Sequence, residues 1–261
     1  MIRDEDEYQV YDINDFIEVA VLSLKGNRSC QEDRVGFALD DAQGMIVLCD
    51  GMGGHEGGKM ASTIAVEEFL AAYRKNPNVQ SVREFLLGTI EDADQKVSRI
   101  QRPDGTMMRA GSTVAAIYVR ENQLFWVAAG DSRIYILRNQ ELVQVTKDHT
   151  YQMILDTKWH NGEISLEKYQ SEMKRKHMLI SFLGVGGLPY VENNKKPLQL
   201  LPNDRIVLVS DGIYKLYGND ELIGLFRTND CRKIFHCIQE DVRLNQQRNL
   251  DNLSMAIIKV K

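Results

Sequence analysis

The run STVAAIYVRENQLFWVAAGDSRIYILRNQE, residues 112–141, holds three apolar, β-branched stretches separated by only a few polar residues. Stretches 112–119, 124–129 and 133–137 read as strands, since each stays apolar for a strand's length and stops at Arg, Gly or Asn. The connections Arg120-Glu-Asn-Gln123 and Arg138-Asn-Gln-Glu141 are too short to hold a crossover helix, so these strands pair antiparallel, as hairpins. A strictly alternating βαβ chain with a doubly wound parallel sheet is thereby excluded.

Outward from this core, further strands read at 17–23, 45–49, 206–209 and 253–260. Amphipathic helices read at 58–75, 82–102 and 230–244, where apolar residues recur at three- and four-residue spacings. Such helices need a sheet face on which to bury their stripes. The pattern therefore predicts an α/β (α+β) fold, a four-layer α-β-β-α sandwich of two antiparallel sheets flanked by helices. The 261 residues are expected to form a single domain, 1–261, with an acidic lead-in at 1–16. A polar inserted helical subdomain, a flap, is expected at about 147–187, with Trp159 in its own small core and Gly184, Gly186 and Gly187 closing it.

A formal net charge of -5 argues against binding nucleic acid through a basic face. The N-terminus is acidic where a signal peptide would be basic, and no apolar run nears the roughly 20 residues that span a bilayer. The expectation is a cytoplasmic monomer that meets neither membrane nor nucleic acid. Cys30, Cys49, Cys231 and Cys237 form no CxxC pair, so reduced thiols are expected rather than disulfides or a zinc site.

The chemistry sits where strands end. Asp50 follows MIVLC, Asp131 follows FWVAAG, Asp211 follows RIVLVS, and Asp251 directly precedes the last strand. One such residue is usually a turn former; four at strand ends can converge on one pocket. Two carboxylates about 4 Å apart repel by about 4 kcal/mol at an effective dielectric near 20, so a cluster of them calls for cations. Oxygen-only ligands select hard ions, Mn²⁺ or Mg²⁺, and two ions bridged by one carboxylate would activate a water for in-line attack on phosphorus. Arg28 is a candidate phosphate clamp through its planar fork of donors. Asp33 is placed to orient the attacking water from behind the metal ligands.

The glycines of Asp50-Gly-Met-Gly-Gly-His55-Glu-Gly-Gly-Lys59 also spell a near P-loop, from Gly53 to Gly58-Lys59, with Met60 where that motif needs Ser or Thr. A P-loop-like nucleotide-binding ATPase is therefore one alternative. Another is a non-catalytic regulatory scaffold on the same fold. His149, His160, His177 and His236 share no metal-ligand spacing and are assigned to packing or solvent.

Taken together, Gly26-x-Arg28-x-x-x-x-Asp33, Asp50-Gly-Met-Gly-Gly-His, Ala110-Gly-Ser-Thr, Ala129-Gly-Asp131-Ser-Arg-Ile-Tyr, Thr146-Lys-Asp-His149, Ser210-Asp211-Gly and Asp251-Asn252 resemble the PPM/PP2C-type metal-dependent serine/threonine protein phosphatases, particularly bacterial members, over residues 17–261. The resemblance implies that Asp50 bridges two metal ions, the Gly51 carbonyl binds the first, and Asp211 and Asp251 bind the second. It implies that Arg28 holds the phosphate and that Asp131 with Asp211 takes a third, weaker ion. Phosphorylated proteins would be the substrates, with a serine/threonine kinase opposing. Two departures stand out. Met52 replaces a histidine proposed as general acid in many eukaryotic members, leaving His55 as a candidate donor, and Tyr214-Lys215 follow Asp211-Gly unusually.

Overall fold

Strand β4 (Gln43–Cys49) is apolar on both faces, and both faces are covered. Met45, Val47 and Cys49 pack with Phe69 of α1 (His55–Lys75) and Ile90 of α2 (Val82–Val97), while Ile46 and Leu48 pack with Ile206 and Leu208 of β13 (Arg205–Val209). Alternate residues of one strand thus serve two different cores. This is why the strands read as apolar runs rather than as a polar/apolar alternation.

The structure is a computed structural model and describes residues 7–12, 17–40, 43–76, 78–228, 230–245, 247 and 249–261. Besides those named, its elements are β1 (Glu7–Asp12), β2 (Ile17–Leu24), β3 (Arg34–Leu39), β5 (Gly51–Met52), β6 (Gly111–Ser112), β7 (Val114–Arg120), β8 (Gln123–Ala129), β9 (Arg133–Arg138) and β10 (Glu141–Gln144). There follow α3 (Tyr151–His160), α4 (Leu166–Glu172), a 3-10 turn (Met173–Arg175), β11 (Glu192–Asn193), β12 (Leu198–Gln199), α5 (Asp211–Leu216), α6 (Asn219–Leu225), α7 (Cys231–Leu244) and β14 (Leu253–Val260). One sheet runs β1-β2-β14-β13-β9-β10 and the other β11-β8-β7-β4-β3, with β12 also on β8. Their strand pairs are antiparallel.

Three apolar layers separate four layers of structure. Helices α1 and α2 cover one sheet, the inner faces of the two sheets meet across Val21, Ile46, Ile117, Ile134 and Ile258, and α5 to α7 cover the other sheet. Register keeps the faces sorted. Val207 stands opposite Ile257 on one side and Tyr135 on the other, and all three turn toward Ile234 and Phe235 of α7. The expected α-β-β-α sandwich is the observed one, and both expected hairpins form. At the second, Asn139 and Gln140 both take positive φ (51° and 68°), the turn whose twist matches paired strands.

Several elements differ from their sequence expectation for identifiable reasons. Strand β3 is hidden in the sequence by Gly36, which is there because a Cβ would strike Val66 of α1 at 2.4 Å. Helix α2 ends at Val97 rather than at 102: Ile100 turns into the helix-sheet core, and a bridge between Gln101 and Met107 reverses the chain. Strand β1 lies within the acidic lead-in, where Val10 and Tyr11 reach opposite cores. Trp159, expected inside the flap, is 43% exposed and leans on Tyr169 at 5.1 Å between ring centroids. Helices α3 and α4 in that stretch bury only Leu155 between them, so they present no stripe to read.

The end of this stretch is fastened to α2 by one buried side chain. Asp94 accepts hydrogen bonds from the backbone N–H groups of Gly184 (2.7 Å), Gly186 (3.3 Å) and Gly187 (2.6 Å). Next to it, Leu183 and Ser112 exchange backbone hydrogen bonds at 2.8 and 3.0 Å, which ties the stretch to β6. Charged acceptors of this kind are worth about 1.5–3 kcal/mol per hydrogen bond. Asp94→Ala is expected to lower unfolding free energy in urea by about 2–3 kcal/mol and to speed amide exchange at Gly184 and Gly187. Stability within about 0.5 kcal/mol of the parent would show that the anchor holds nothing.

Candidate metal-binding and active site

Strand β4 delivers Asp50, and the chain beside it fixes where it stops. The Asp50 N–H donates to Thr113 Oγ1 (3.0 Å), and its carbonyl accepts from the Thr113 N–H (2.8 Å) and from Ser112 Oγ (3.0 Å). In the other sheet, Ser210 closes β13: its hydroxyl donates to Asp33 Oδ2 (2.8 Å) and accepts from the Ser254 N–H (2.9 Å). Asp211 then opens α5. Asn252 staples the 26–33 loop to the start of β14, accepting from the Glu32 N–H (2.8 Å) and donating to the carbonyls of Lys25 (2.9 Å) and Cys30 (3.1 Å). That staple sets Arg28 against Asp251, with Nη2 to Oδ2 at 2.7 Å.

These elements border one cleft of about 420 Å³, lined by Arg28, Asp50, Gly51, Asp131, Asp211 and Asp251. All the residues expected to hold metal or phosphate therefore meet. Asp33 does not reach the lining. It is 1% exposed and stands one hydrogen bond behind Asp211, through Ser210. A larger cleft of about 510 Å³ near Leu137 and Phe226 has no carboxylate in its lining and offers no hydrolytic chemistry.

Crowding and burial set the electrostatics. Burial first, and then Asp33, Asp211, Asp131 and Asp251, push the Asp50 carboxyl well above its ordinary value. Asp33 is pushed up to about 7 by burial, against the Ser210 hydroxyl that lowers it. Asp131 is pushed up to about 6 by burial and by Asp211. For Asp211, burial raises the carboxyl and outweighs Lys215. Such a cluster favours protons or cations.

The donor set fits hard divalent ions. It is made of oxygen, and Asp33 Oδ1 and Asp211 Oδ1 are buried without a hydrogen-bond partner. Gly51 lies so close to α1 that a Cβ would come within 2.1 Å of the Gly58 carbonyl, which keeps bare backbone on the cleft wall. Among the described residues no three His, Cys, Asp or Glu side chains already form a ready cage. Asp251 is held by Arg28, and Asp211 by Lys215.

Glu32, Thr113, His177, Leu179, Lys215 and Asn252 also line the cleft and were not singled out as site residues from the sequence. His177 is exposed to solvent, within the expectation of packing or solvent, and it also borders the cleft. Thr113 and Asn252 do fall inside the quoted motif blocks, so a signal was present; nothing local marks His177. His149 is a packing residue, as expected. It is 1% exposed, its Nδ1 accepts from the Gly130 N–H (3.2 Å), and burial pushes it down to about 4. The side chain of His55 lies outside the described residues. The P-loop alternative fails on geometry: α1 begins at His55, so only Gly53 and Gly54 separate it from β5, too little chain to wrap a phosphate.

Comparison with known proteins points the same way. A family model described as protein phosphatase 2C matches residues 23–250. The serine/threonine phosphatase stp of Listeria monocytogenes serotype 4b is 30% identical over 205 residues, covering 77% of this chain and 79% of that one. The solved serine/threonine phosphatase of S. agalactiae has a TM-score of 0.75 at 23% identity, covering 94% of this chain and 100% of its own. The catalytic domain of the serine/threonine protein phosphatase PstP, solved in complex with 2 manganese ions, has a TM-score of 0.72 at 24% identity over 94% and 98% of the two chains.

The raised carboxyls give the metal-free protein a distinctive pH response. With Asp33 near 7, the folded chain binds more protons than the unfolded chain between about pH 4 and 7. The corresponding stability is present in full below about pH 4 and is lost as pH rises through about 7. Buried His149 works in the opposite direction, so Asp33→Asn is the reference. In EDTA, melting temperature measured from about pH 5 to pH 8 is expected to fall more, or rise less, for the parent than for Asp33→Asn. Parallel profiles would contradict the assignment.

Proposed function

The chain belongs to the protein phosphatase 2C family, and from that premise we propose that it removes phosphate from phosphoserine and phosphothreonine in proteins, using divalent cations held in the cleft between the two sheets. The observation that carries this reading is the meeting of Asp50, Asp131, Asp211 and Asp251, four strand-end carboxylates from both sheets, with Arg28 at one cleft. Asp50, Asp211 and Asp251 with the Gly51 carbonyl would hold two ions, Mn²⁺ or Mg²⁺. Bound there, the ions would supply Lewis acidity and lower the pKa of water at the site.

The chain's own residues do the rest. Arg28, half exposed at the rim and steadied by Asp251, turns its fork of donors to the phosphoryl oxygens and fixes the phosphorus for in-line attack. Asp33, one hydrogen bond behind Asp211 through Ser210, would help fix that carboxylate and so the place of the attacking water. No Cys-x5-Arg arrangement surrounds Cys30 or Cys49, and burial pushes the Cys49 thiol far up; Cys237 has Arg243 at that spacing, but both lie inside α7 with no loop between them to wrap a phosphate, and neither lines the cleft, so a phosphocysteine route has no nucleophile there. Attack by water in one displacement follows, without a phosphoenzyme.

The chain works as a cytoplasmic monomer, one domain with a flap at about 147–187 that borders the cleft through His177 and Leu179, and it opposes a serine/threonine kinase. Support for the flap comes from those two lining residues. No helix among the described residues is long and apolar enough to cross a membrane. A non-catalytic scaffold finds no support, because Asp50, Asp211 and Asp251 are all present in the cleft.

Purified protein is expected to hydrolyse p-nitrophenyl phosphate and a phosphothreonine peptide with Mn²⁺ and to stop in EDTA. Asp50→Asn and Asp211→Asn should each lower kcat by about 100-fold or more, since each removes charge that holds the ions. Parent-like turnover in both variants would sink the assignment. Arg28→Ala, in the same assay, should chiefly raise KM. A large fall in kcat at constant KM would refute its role as a substrate clamp.

A further inference from the structure

The family resemblance gives Asp131 and Asp211 a third, weaker ion, yet the side chains around this pair do not fit one. Asp211 and Lys215 are one turn apart on α5, and helical side chains lean toward the N-terminus, so the lysine stem runs back over the aspartate. Its Nζ is paired with Asp211 Oδ2. The neighbouring Tyr214 donates its hydroxyl to Asp131 Oδ2 at 3.1 Å. One short helix thus places an ammonium on one carboxylate and a hydroxyl on the other.

Tyr214 is itself held in place. The Arg133 guanidinium lies 3.5 Å from the centre of its ring. Asp148 grips that guanidinium along its edge, Nε to Oδ1 at 3.0 Å and Nη2 to Oδ2 at 2.7 Å, and Arg133 also donates to the Tyr135 hydroxyl at 3.0 Å. The Lys215 side chain is half covered, so its charge is not lost into bulk water. A divalent ion between Asp131 and Asp211 would have to displace the ammonium from Asp211 and then sit beside it, like charge against like charge. Asp211 Oδ1 is spared this competition. It is buried with no hydrogen-bond partner and stays available to a core ion.

We propose that Lys215, braced by the Tyr214–Arg133–Asp148 stack, is a built-in cation that takes the place of a third divalent ion, so that this chain holds two ions and not three. The sequence departure Tyr214-Lys215 is then the signature of the substitution. The proposal rests on the reading of the cleft as a divalent-cation site, and the following test separates the two.

Bound Mn²⁺ is counted on the full chain by electron paramagnetic resonance of the free ion at rising MnCl₂. Its positions are read from anomalous difference density in crystals soaked in the same salt. The parent and Lys215→Arg are expected to hold two ions. Lys215→Ala is expected to gain a third, located between Asp131 and Asp211, and the double variant with Asp131→Asn to lose it again. Asp131→Asn alone should leave the count at two. Three ions in the parent, or no third ion in Lys215→Ala, would overturn the proposal. A parent that binds none would overturn the reading of the cleft itself.

Discussion

Like charges buried together are the constraint on which this molecule turns. Asp50, Asp131 and Asp211 at the cleft and Asp33 behind it lose hydration, and the charge of neighbouring carboxylates adds to their affinity for protons. Left alone, they would favour opening the very ends of the strands that the two sheets otherwise hold together. Neutralisation by cations turns that liability into affinity. The fold contributes fixed positive charge as well, with Arg28 on Asp251 and Lys215 on Asp211, so each sheet end arrives with part of its charge already offset.

The sandwich explains how such a cluster can be held at all. Strands covered on both faces are stiff, and their ends are pinned by hydrogen bonds that cross between segments far apart in sequence. Thr113 latches the Asp50 backbone, Ser210 couples Asp33 to β14, and Asn252 ties the 26–33 loop to the same strand. These hydrogen bonds hold backbone and neighbouring side chains. Their effect is to keep carboxylates from spreading apart, which is what a metal site of fixed geometry requires. The P-loop-like spelling at 53–59 serves the same end, since its glycines let α1 press against Gly51 and Glu32.

What the sequence made legible follows from how local each signal is. Asp50, Asp131 and Asp211 could be found because each ends an apolar run, and Asp251 because it begins one. The hairpins could be found because a few polar residues cannot hold a helix. Strand β3 escaped because one glycine, required by the crossing of α1, interrupts its pattern. Helices α3 and α4 could be expected only as a helical insert without bounds, and α6 escaped, because each buries one side chain or none. His177 is brought to the cleft by tertiary folding alone, and no spacing along the chain announces it. Lys215 was visible as an oddity, but its meaning needed the helix that aims it at Asp211.

The central claim is that cations and protons compete for one set of buried carboxylates. Its most direct measurement is isothermal titration calorimetry of Mn²⁺ into the EDTA-stripped full chain, near pH 7, in buffers of differing ionisation enthalpy. Saturable binding accompanied by proton release, with both lost in Asp50→Asn, is the predicted result. Absence of saturable binding, or binding that releases no protons and survives Asp50→Asn unchanged, would contradict the account.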